Sequence, residues 1–180
     1  ILAFTPNIFW KSIGNSKSRD RLIRFNLYFR IKFLLYSVFW NVKNFKEQAR
    51  ETKRDYISGE SHYFKGKRYL LNVNHHSGYN KVEITGTNKI ELWVKPTATV
   101  EEKASVIKEW YRKELKAQVP ELIEKWEKVI GVKSSDWGVK QMKTKWGACN
   151  VDAKRIWLNL ELVKKPPICL EYILVHELVH

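Results

Sequence analysis

The chain has 180 residues, 44% of them hydrophobic and eight of them tryptophan, which is enough for one domain with a buried core. Its two cysteines exclude a disulfide scaffold and fit a reducing compartment, so we expect a cytoplasmic protein. The longest uncharged run, residues 33–42, is too short for a membrane span, which takes about 20 residues, and no signal-peptide pattern is visible.

The positive charge of the chain is unevenly distributed. Lysine and arginine number 33 against 19 aspartate and glutamate, a formal net charge of +14. Residues 1–46 hold nine Lys or Arg against Asp20 alone, whereas residues 47–180 hold 24 against 18 acidic residues. We therefore divide the chain into a basic, aromatic segment at 1–45, to which we assign no function, and a domain at 46–180. The charge leaves nucleic acid open as a partner, beside the simpler interpretation of a solvated surface.

The first half of the domain has the pattern of short strands. In the preceding segment, residues 25–33 alternate apolar and polar side chains, as in a half-buried strand. Residues 59–73 predict two strands with a turn at Lys65-Gly66, and residues 81–84 and 89–94 predict a second pair across residues 85–88. We expect these strands to form an antiparallel β-meander.

A long amphipathic helix follows. Thr99 and Glu102 have the spacing of a capping box, and Gly131 is a suitable residue to follow the last turn. Pro120 falls inside this segment, so the pattern predicts either one helix or two in series.

After the helix, the pattern predicts two more strands, at 137–146 and 156–162, with a turn at 147–154 between them. Residues 164–167 end the second strand, and Pro166 or Pro167 can occupy the first turn of a further helix.

That last helix contains the motif His-Glu-x-x-His. His176 and His180 are four residues apart, which puts them one turn apart on one face of a helix, where two imidazoles can share a tetrahedral metal ion. Glu177 is then close enough to accept a proton from a water that the metal activates, the arrangement of a zinc peptidase. The alternative is two core histidines with an ordinary hydrogen-bonding glutamate. We favour the metal site because the flanking residues are apolar, and buried polar groups without partners are costly.

Three segments together resemble the YgjP-like metallopeptidases, which are related to the SprT-like and minigluzincin zinc peptidases. They are residues 143–149 (KTKWGAC), 155–160 (RIWLNL) and 166–180 (PPICLEYILVHELVH). The resemblance covers about residues 46–180. It implies an α+β, zincin-like (minigluzincin) domain with an antiparallel β-sheet, a long amphipathic helix and a C-terminal metal-binding helix. It also implies one Zn²⁺ ion held by His176 and His180, with Glu177 as the general base.

The resemblance further implies a third histidine ligand a few residues beyond His180. Because the chain begins at Ile1 and stops on its own motif, we expect it to be part of a longer protein. We also expect the 180-residue chain to bind metal poorly and to be inactive by itself. His62, His75 and His76 lie in the β block and are not obvious substitutes for the missing ligand.

The predicted function is zinc-dependent hydrolysis of peptide bonds in a peptide or protein substrate. The strand at 156–162 would be the sheet edge on which an extended peptide docks. Tyr172 and Cys169 should lie on the side of the helix that carries His176, where packing explains both more simply than an oxyanion role for Tyr172. Two alternatives remain: a metal-dependent nucleotide phosphohydrolase, and a basic nucleic-acid-associated binding module with a vestigial zinc site.

Overall fold

A computed structural model describes residues 54–179 of the protein. The predictions for the segment at 1–45, including the strand at 25–33, and for the side chain of His180 lie outside the described residues. No helix in the described part is long and apolar enough to cross a membrane.

The described residues form an α+β domain with two sheets. The strands are β1 (Ser61–Phe64), β2 (Lys67–His75), β3 (Lys81–Thr85), β4 (Lys89–Val94), β5 (Asp136–Lys140), β6 (Gly147–Asn150) and β7 (Arg155–Asn159). The helices are α1 (Val100–Ile130) and α2 (Pro167–Leu178), and a 3₁₀ helix (Leu160–Lys164) precedes α2.

The first sheet has the strand order β1-β2-β4-β3, and both predicted turns are present. The β1–β2 turn places Lys65 at φ 48° and Gly66 at φ 79°, the two positive φ angles that a tight hairpin turn requires. The backbone N–H groups of Lys65 and Gly66 donate to the carbonyl oxygens of Val163 (2.8 Å) and Lys164 (3.1 Å). The tip of this hairpin is therefore fixed to the segment that leads into α2.

The predicted antiparallel meander is wrong for one pair of strands. β2 and β4 are parallel, with Leu71 opposite Ile90, while β3 pairs with the outer side of β4. Burial explains the order, because the inner strand β4 carries Ile90, Leu92 and Val94, all without exposed surface. The side chains of β3 are mostly exposed, which suits the edge of a sheet. The sheet is thus mixed rather than antiparallel.

The long helix is continuous. Thr99 and Glu102 form the predicted capping box, and Gly131 ends the helix at φ 78°. Pro120 lies inside α1 without dividing it. The buried residues of α1 follow one stripe, which packs onto the sheet and the 3₁₀ helix: Ile107, Tyr111, Leu115, Val119 and Ile123.

The second sheet has the order β5-β7-β6, with β5 and β7 parallel and β6 and β7 antiparallel. Three predictions are corrected here. The strand predicted at 137–146 ends at Lys140, the turn predicted at 147–154 begins with strand β6, and the strand predicted at 156–162 ends at Asn159. β7 is moreover the central strand, so the sheet edge beside α2 belongs to β6.

The side chain of Asn159 explains two of these corrections. Its Nδ2 donates to the carbonyl oxygens of Met142 (3.0 Å) and Lys145 (2.7 Å), and its Oδ1 accepts from the N–H of Glu161 (3.1 Å). Asn159 therefore holds residues 142–145 in a loop and caps the 3₁₀ helix. Its side chain thereby satisfies backbone groups.

Candidate active site on helix α2

Most of helix α2 is buried, which explains its apolar sequence. Pro167 is its first residue, where a missing N–H and a fixed φ are tolerated. Seven of its residues are buried: Cys169, Leu170, Ile173, Leu174, Val175, Glu177 and Leu178. His176 is exposed, so the helix presents an imidazole to solvent immediately before a buried carboxylate.

The carboxylate of Glu177 lies against strand β6. The residue is 7% exposed, and a Cβ built on Gly147 would stand 2.6 Å from its Oε1, 2.8 Å from its Cγ and 2.7 Å from Cγ2 of Ile173. Real Cβ atoms do not approach so closely. Only glycine at position 147 therefore allows β6 to come this near to α2. The sequence placed Gly147 in a turn, although an isolated glycine among strand-forming residues also signals a close approach.

Cys149 is the second residue of β6 that interacts with Glu177. Burial raises the pKa of the Cys149 thiol, and the charge of Glu177 raises the pKa further. Cys149 therefore stays protonated at neutral pH, so it is poorly suited to act as a nucleophile. Because the charge of Glu177 affects the Cys149 thiol, the two side chains lie close to each other.

The exposed face of α2 carries His176 and Tyr172. Their rings are nearly parallel, with centroids 6.2 Å apart and an interplanar angle of 13°. This confirms that Tyr172 lies on the side of the helix that carries His176. Burial raises the pKa of the Tyr172 hydroxyl, so it remains protonated and able to donate a hydrogen bond at neutral pH.

Glu171 holds α2 against α1. Its Oε1 accepts hydrogen bonds from Nζ of Lys125 (2.6 Å) and from the indole N–H of Trp126 (2.8 Å). Burial raises the pKa of Glu171, but these two hydrogen bonds and the charge of Lys125 together outweigh burial and keep the pKa below its ordinary value of 4.5. The carboxylate is therefore ionised at neutral pH and serves as an anchor between the helices. Sequence analysis did not find this role, because Lys125 and Trp126 are about 45 residues away.

The other three histidines lie in the first sheet or directly after one of its strands. His62 is buried in β1 with its ring 5.6 Å from that of Tyr56, His75 ends β2, and His76 packs on Trp93 with centroids 5.9 Å apart. Within residues 54–179, no three His, Cys, Asp or Glu side chains form a group that could hold a metal ion. The position of His180 relative to His176 lies outside the described residues.

The arrangement of α2 can support hydrolysis. An imidazole of the kind that zinc prefers stands at the surface, and the next residue is a buried carboxylate that lies against Gly147 of β6. The histidine nitrogen is a ligand that catalytic zinc sites use, and the carboxylate beside it is a group that can accept a proton.

A family model described as YgjP-like, metallopeptidase domain matches residues 36–180. The match covers most of the chain, including both sheets, both helices and the His-Glu-x-x-His motif. No curated protein and no solved structure matches the chain.

Proposed function

The chain belongs to the YgjP-like metallopeptidase domain family, and from that premise we propose that it hydrolyses peptide bonds with one zinc ion. In this proposal His176 and His180 hold the zinc and Glu177 is the general base. The observation that carries it is the position of Glu177, a buried carboxylate between α2 and β6 that directly follows an exposed histidine. The zincin-like character of the domain and the metal-binding role of α2 are parts of the same proposal.

A bound zinc ion supplies a Lewis acid that lowers the pKa of water to about 7. Glu177 accepts the proton of the attacking water, and its packing against Gly147 keeps the carboxylate in one position for this step. A third protein ligand belongs to the proposal as well. We place it beyond residue 180.

The open edge of β6 is the proposed docking site for the substrate. Within the described residues β6 has a hydrogen-bonded neighbour, β7, on one side only. An extended peptide can add to such an edge through main-chain hydrogen bonds. Since β6 also contacts Glu177 through Gly147, a peptide on this edge runs past the general base.

The test compares Glu177→Gln with Glu171→Gln in the full-length protein. Both variants make the same change in the same helix, but only Glu177 faces β6. With zinc added, we expect Glu177→Gln to lower kcat/KM on denatured casein and on a quenched peptide by about 10²–10⁴-fold. The Glu171→Gln variant should have the activity of the wild type at temperatures at which the variant is folded. Removing the metal with a chelator should abolish activity, and zinc should restore it.

Alkylation of Cys149 supplies a readout that does not depend on catalysis. In chelator-treated protein, loss of the Glu177 charge should lower the pKa of the Cys149 thiol and speed its alkylation at a given pH. Buried Cys169 serves as the internal control. Faster alkylation with full peptidase activity in Glu177→Gln would remove Glu177 from the mechanism while confirming its position.

The same preparation distinguishes the alternative functions. Nucleoside triphosphates assayed beside casein test for a phosphohydrolase. Binding to DNA over a range of salt concentrations tests for a nucleic-acid partner, since phosphate contacts weaken steeply as salt rises.

A further inference from the structure

A cleft of about 380 Å³ begins beside Glu177. Cys149 and Ile156 line it from the second sheet, and Glu177 and Leu178 line it from the end of α2. Cys149 and Ile156 are directly opposite each other in the β6–β7 pair, so both side chains point to the face that packs on α2.

Two lysines lie where the cleft meets the β6–β7 turn. Lys133 follows α1, and Lys154 ends the turn; both line the cleft. The N–H of Ser135 donates to the carbonyl oxygen of Lys154 at 2.8 Å, which joins the two segments. Lys154 has φ 47°, a left-handed conformation that glycine or asparagine adopts more readily. The backbone thus holds the segments of the two lysines together, and both residues line the cleft.

Positive charge predominates around these lysines. Residues 132–165 hold eight Lys or Arg against three Asp or Glu. One of the acidic residues, Asp136, already pairs with Arg155 at 2.9 Å, and another, Glu161, pairs with Lys164 at 2.8 Å. In the part of the chain that the structure describes, neither Lys133 nor Lys154 takes part in an ion pair. The cleft therefore offers an anion two cations that are not engaged by carboxylates.

Strand β6 runs from Glu177 at one end of the cleft to the β6–β7 turn at the other. Gly147 touches Glu177, and the strand then passes Cys149 to reach the turn at Val151, roughly 13 Å away at about 3.3 Å per residue. An extended peptide on the edge of β6 would direct alternate side chains, spaced about 7 Å apart, to the same face. A substrate side chain a few residues from the scissile peptide bond would then reach the lysines, while the carbonyl group of that bond stays beside Glu177.

We propose that Lys133 and Lys154 form a specificity pocket for an acidic side chain of the peptide substrate, on one side of the scissile bond. The pocket rests on the peptidase function proposed above. Aspartate or glutamate would place its carboxylate between two ammonium groups, and the apolar wall at Ile156 and Leu178 would shield the ion pairs from water. The substrate class is thus an acidic peptide segment in extended conformation.

The experiment uses the full-length, zinc-loaded protein and quenched peptides that differ by one Glu→Gln exchange at each position within four residues of the cleavage site. Glutamate and glutamine have the same shape, so the comparison isolates the charge. At one position we expect kcat/KM to fall about tenfold for the glutamine peptide. The double variant Lys133→Glu/Lys154→Glu should lose or reverse that preference.

The control variant is Lys113→Glu/Lys116→Glu, which makes the same change in net charge on α1, away from the cleft. It should keep the preference for glutamate. Because Lys154 has an unusual φ, circular dichroism should confirm that each variant is folded, and Lys133→Gln/Lys154→Gln supplies a milder change.

Failure of the pocket and failure of the peptidase assignment are distinguishable. Cleavage of both peptides at equal rates would overturn the pocket and leave the peptidase standing. If no peptide is cleaved, fluorescence anisotropy of the labelled peptides decides. Tighter binding of the glutamate peptide, lost in the lysine double variant, would keep the anionic pocket and overturn the peptidase. Equal binding of both peptides would overturn the pocket.

Discussion

The two helices of the domain are stabilised in different ways. α1 has 31 residues, a capping box at Thr99, a left-handed glycine at Gly131 and one buried stripe of five residues. α2 has 12 residues, no side-chain cap at its N-terminus and seven buried residues. Isolated helices as short as α2 are marginal in water, so α2 depends on its burial between the second sheet and α1.

This difference bears on function. A helix with strong local signals keeps its structure wherever it packs, and α1 serves as a scaffold. A helix that depends on burial has its position set by the residues it touches, and for α2 these include Gly147 on β6 and Lys125 on α1. The general base of the proposed mechanism lies on the helix whose position depends most on tertiary contacts.

The largest effect is expected at the contact between β6 and α2. In Gly147→Ala the new methyl group would meet Glu177 and Ile173 at distances below 3.0 Å in a packed interior. We expect the free energy of unfolding to fall by about 2 kcal/mol. We also expect kcat/KM to fall, because the carboxylate of Glu177 must move. Urea denaturation of chelator-treated protein measures the stability without a contribution from metal binding.

The matched control is Gly138→Ala on β5. There a Cβ would meet the ring of Trp157 at 2.5 Å, but this ring is only partly buried and lies on the face of the sheet away from α2. Because the ring can move, we expect the free energy of unfolding to fall by about 1 kcal/mol or less and the activity to stay unchanged. Equal effects of the two substitutions would show that α2 is not positioned by its contact with β6.

The next effect is expected at the link between the helices. Glu171→Gln weakens the hydrogen bonds from Lys125 and Trp126 and should lower the free energy of unfolding by about 1 kcal/mol at pH 7. Glu124→Gln is the control, because Glu124 pairs with Lys128 within α1 and both side chains are exposed. The free energy of unfolding of Glu124→Gln should fall by no more than a few tenths of a kcal/mol.

The contribution of Glu171 should also depend on pH. Its pKa is lower in the folded protein than its ordinary value of 4.5, so the unfolded chain binds more protons as pH falls. The stabilisation is complete above about pH 5 and is lost as the pH falls through the pKa of the folded state. The stability difference between wild type and Glu171→Gln should therefore shrink below pH 4.5. A difference that stays constant down to pH 3 would contradict the ionised anchor.

Much of the fold could be predicted because its signals are local. The capping box at Thr99, the glycine at Gly131 and the turn at Lys65-Gly66 each constrain the backbone over a few residues, and all three are confirmed. Pro167 at the start of α2 is confirmed for the same reason. The family was also predicted correctly, because it is carried by short segments whose residues stand close together in the sequence.

The errors concern contacts between distant residues. The local pattern predicts that neighbouring strands pair, but β4 is the most buried strand of its sheet and takes the inner position beside β2. The local pattern also predicts a strand at 142–145, where the structure has a loop, because the shape of this loop is imposed by Asn159, 17 residues from Met142. Nothing local in the sequence showed that Gly147 would face Glu177. The roles of His176, Glu177 and His180 in metal binding and catalysis stay predictions.

The smallest effect is expected at the N-termini of the helices, where α1 has a side-chain cap and α2 has none. Thr99→Ala removes the hydroxyl that accepts from the N–H of Glu102 (3.2 Å) and should cost about 1 kcal/mol, whereas Thr99→Ser should recover most of it. Pro167→Ala makes a comparable change at the start of α2, where no side chain caps the helix, and should cost only a few tenths of a kcal/mol. Amide exchange in residues 100–103 would show whether the first turn of α1 opens more often in Thr99→Ala. If Pro167→Ala proved the more damaging of the two, the N-terminus of α2 would carry stability of its own, and burial alone would not account for the position of Glu177.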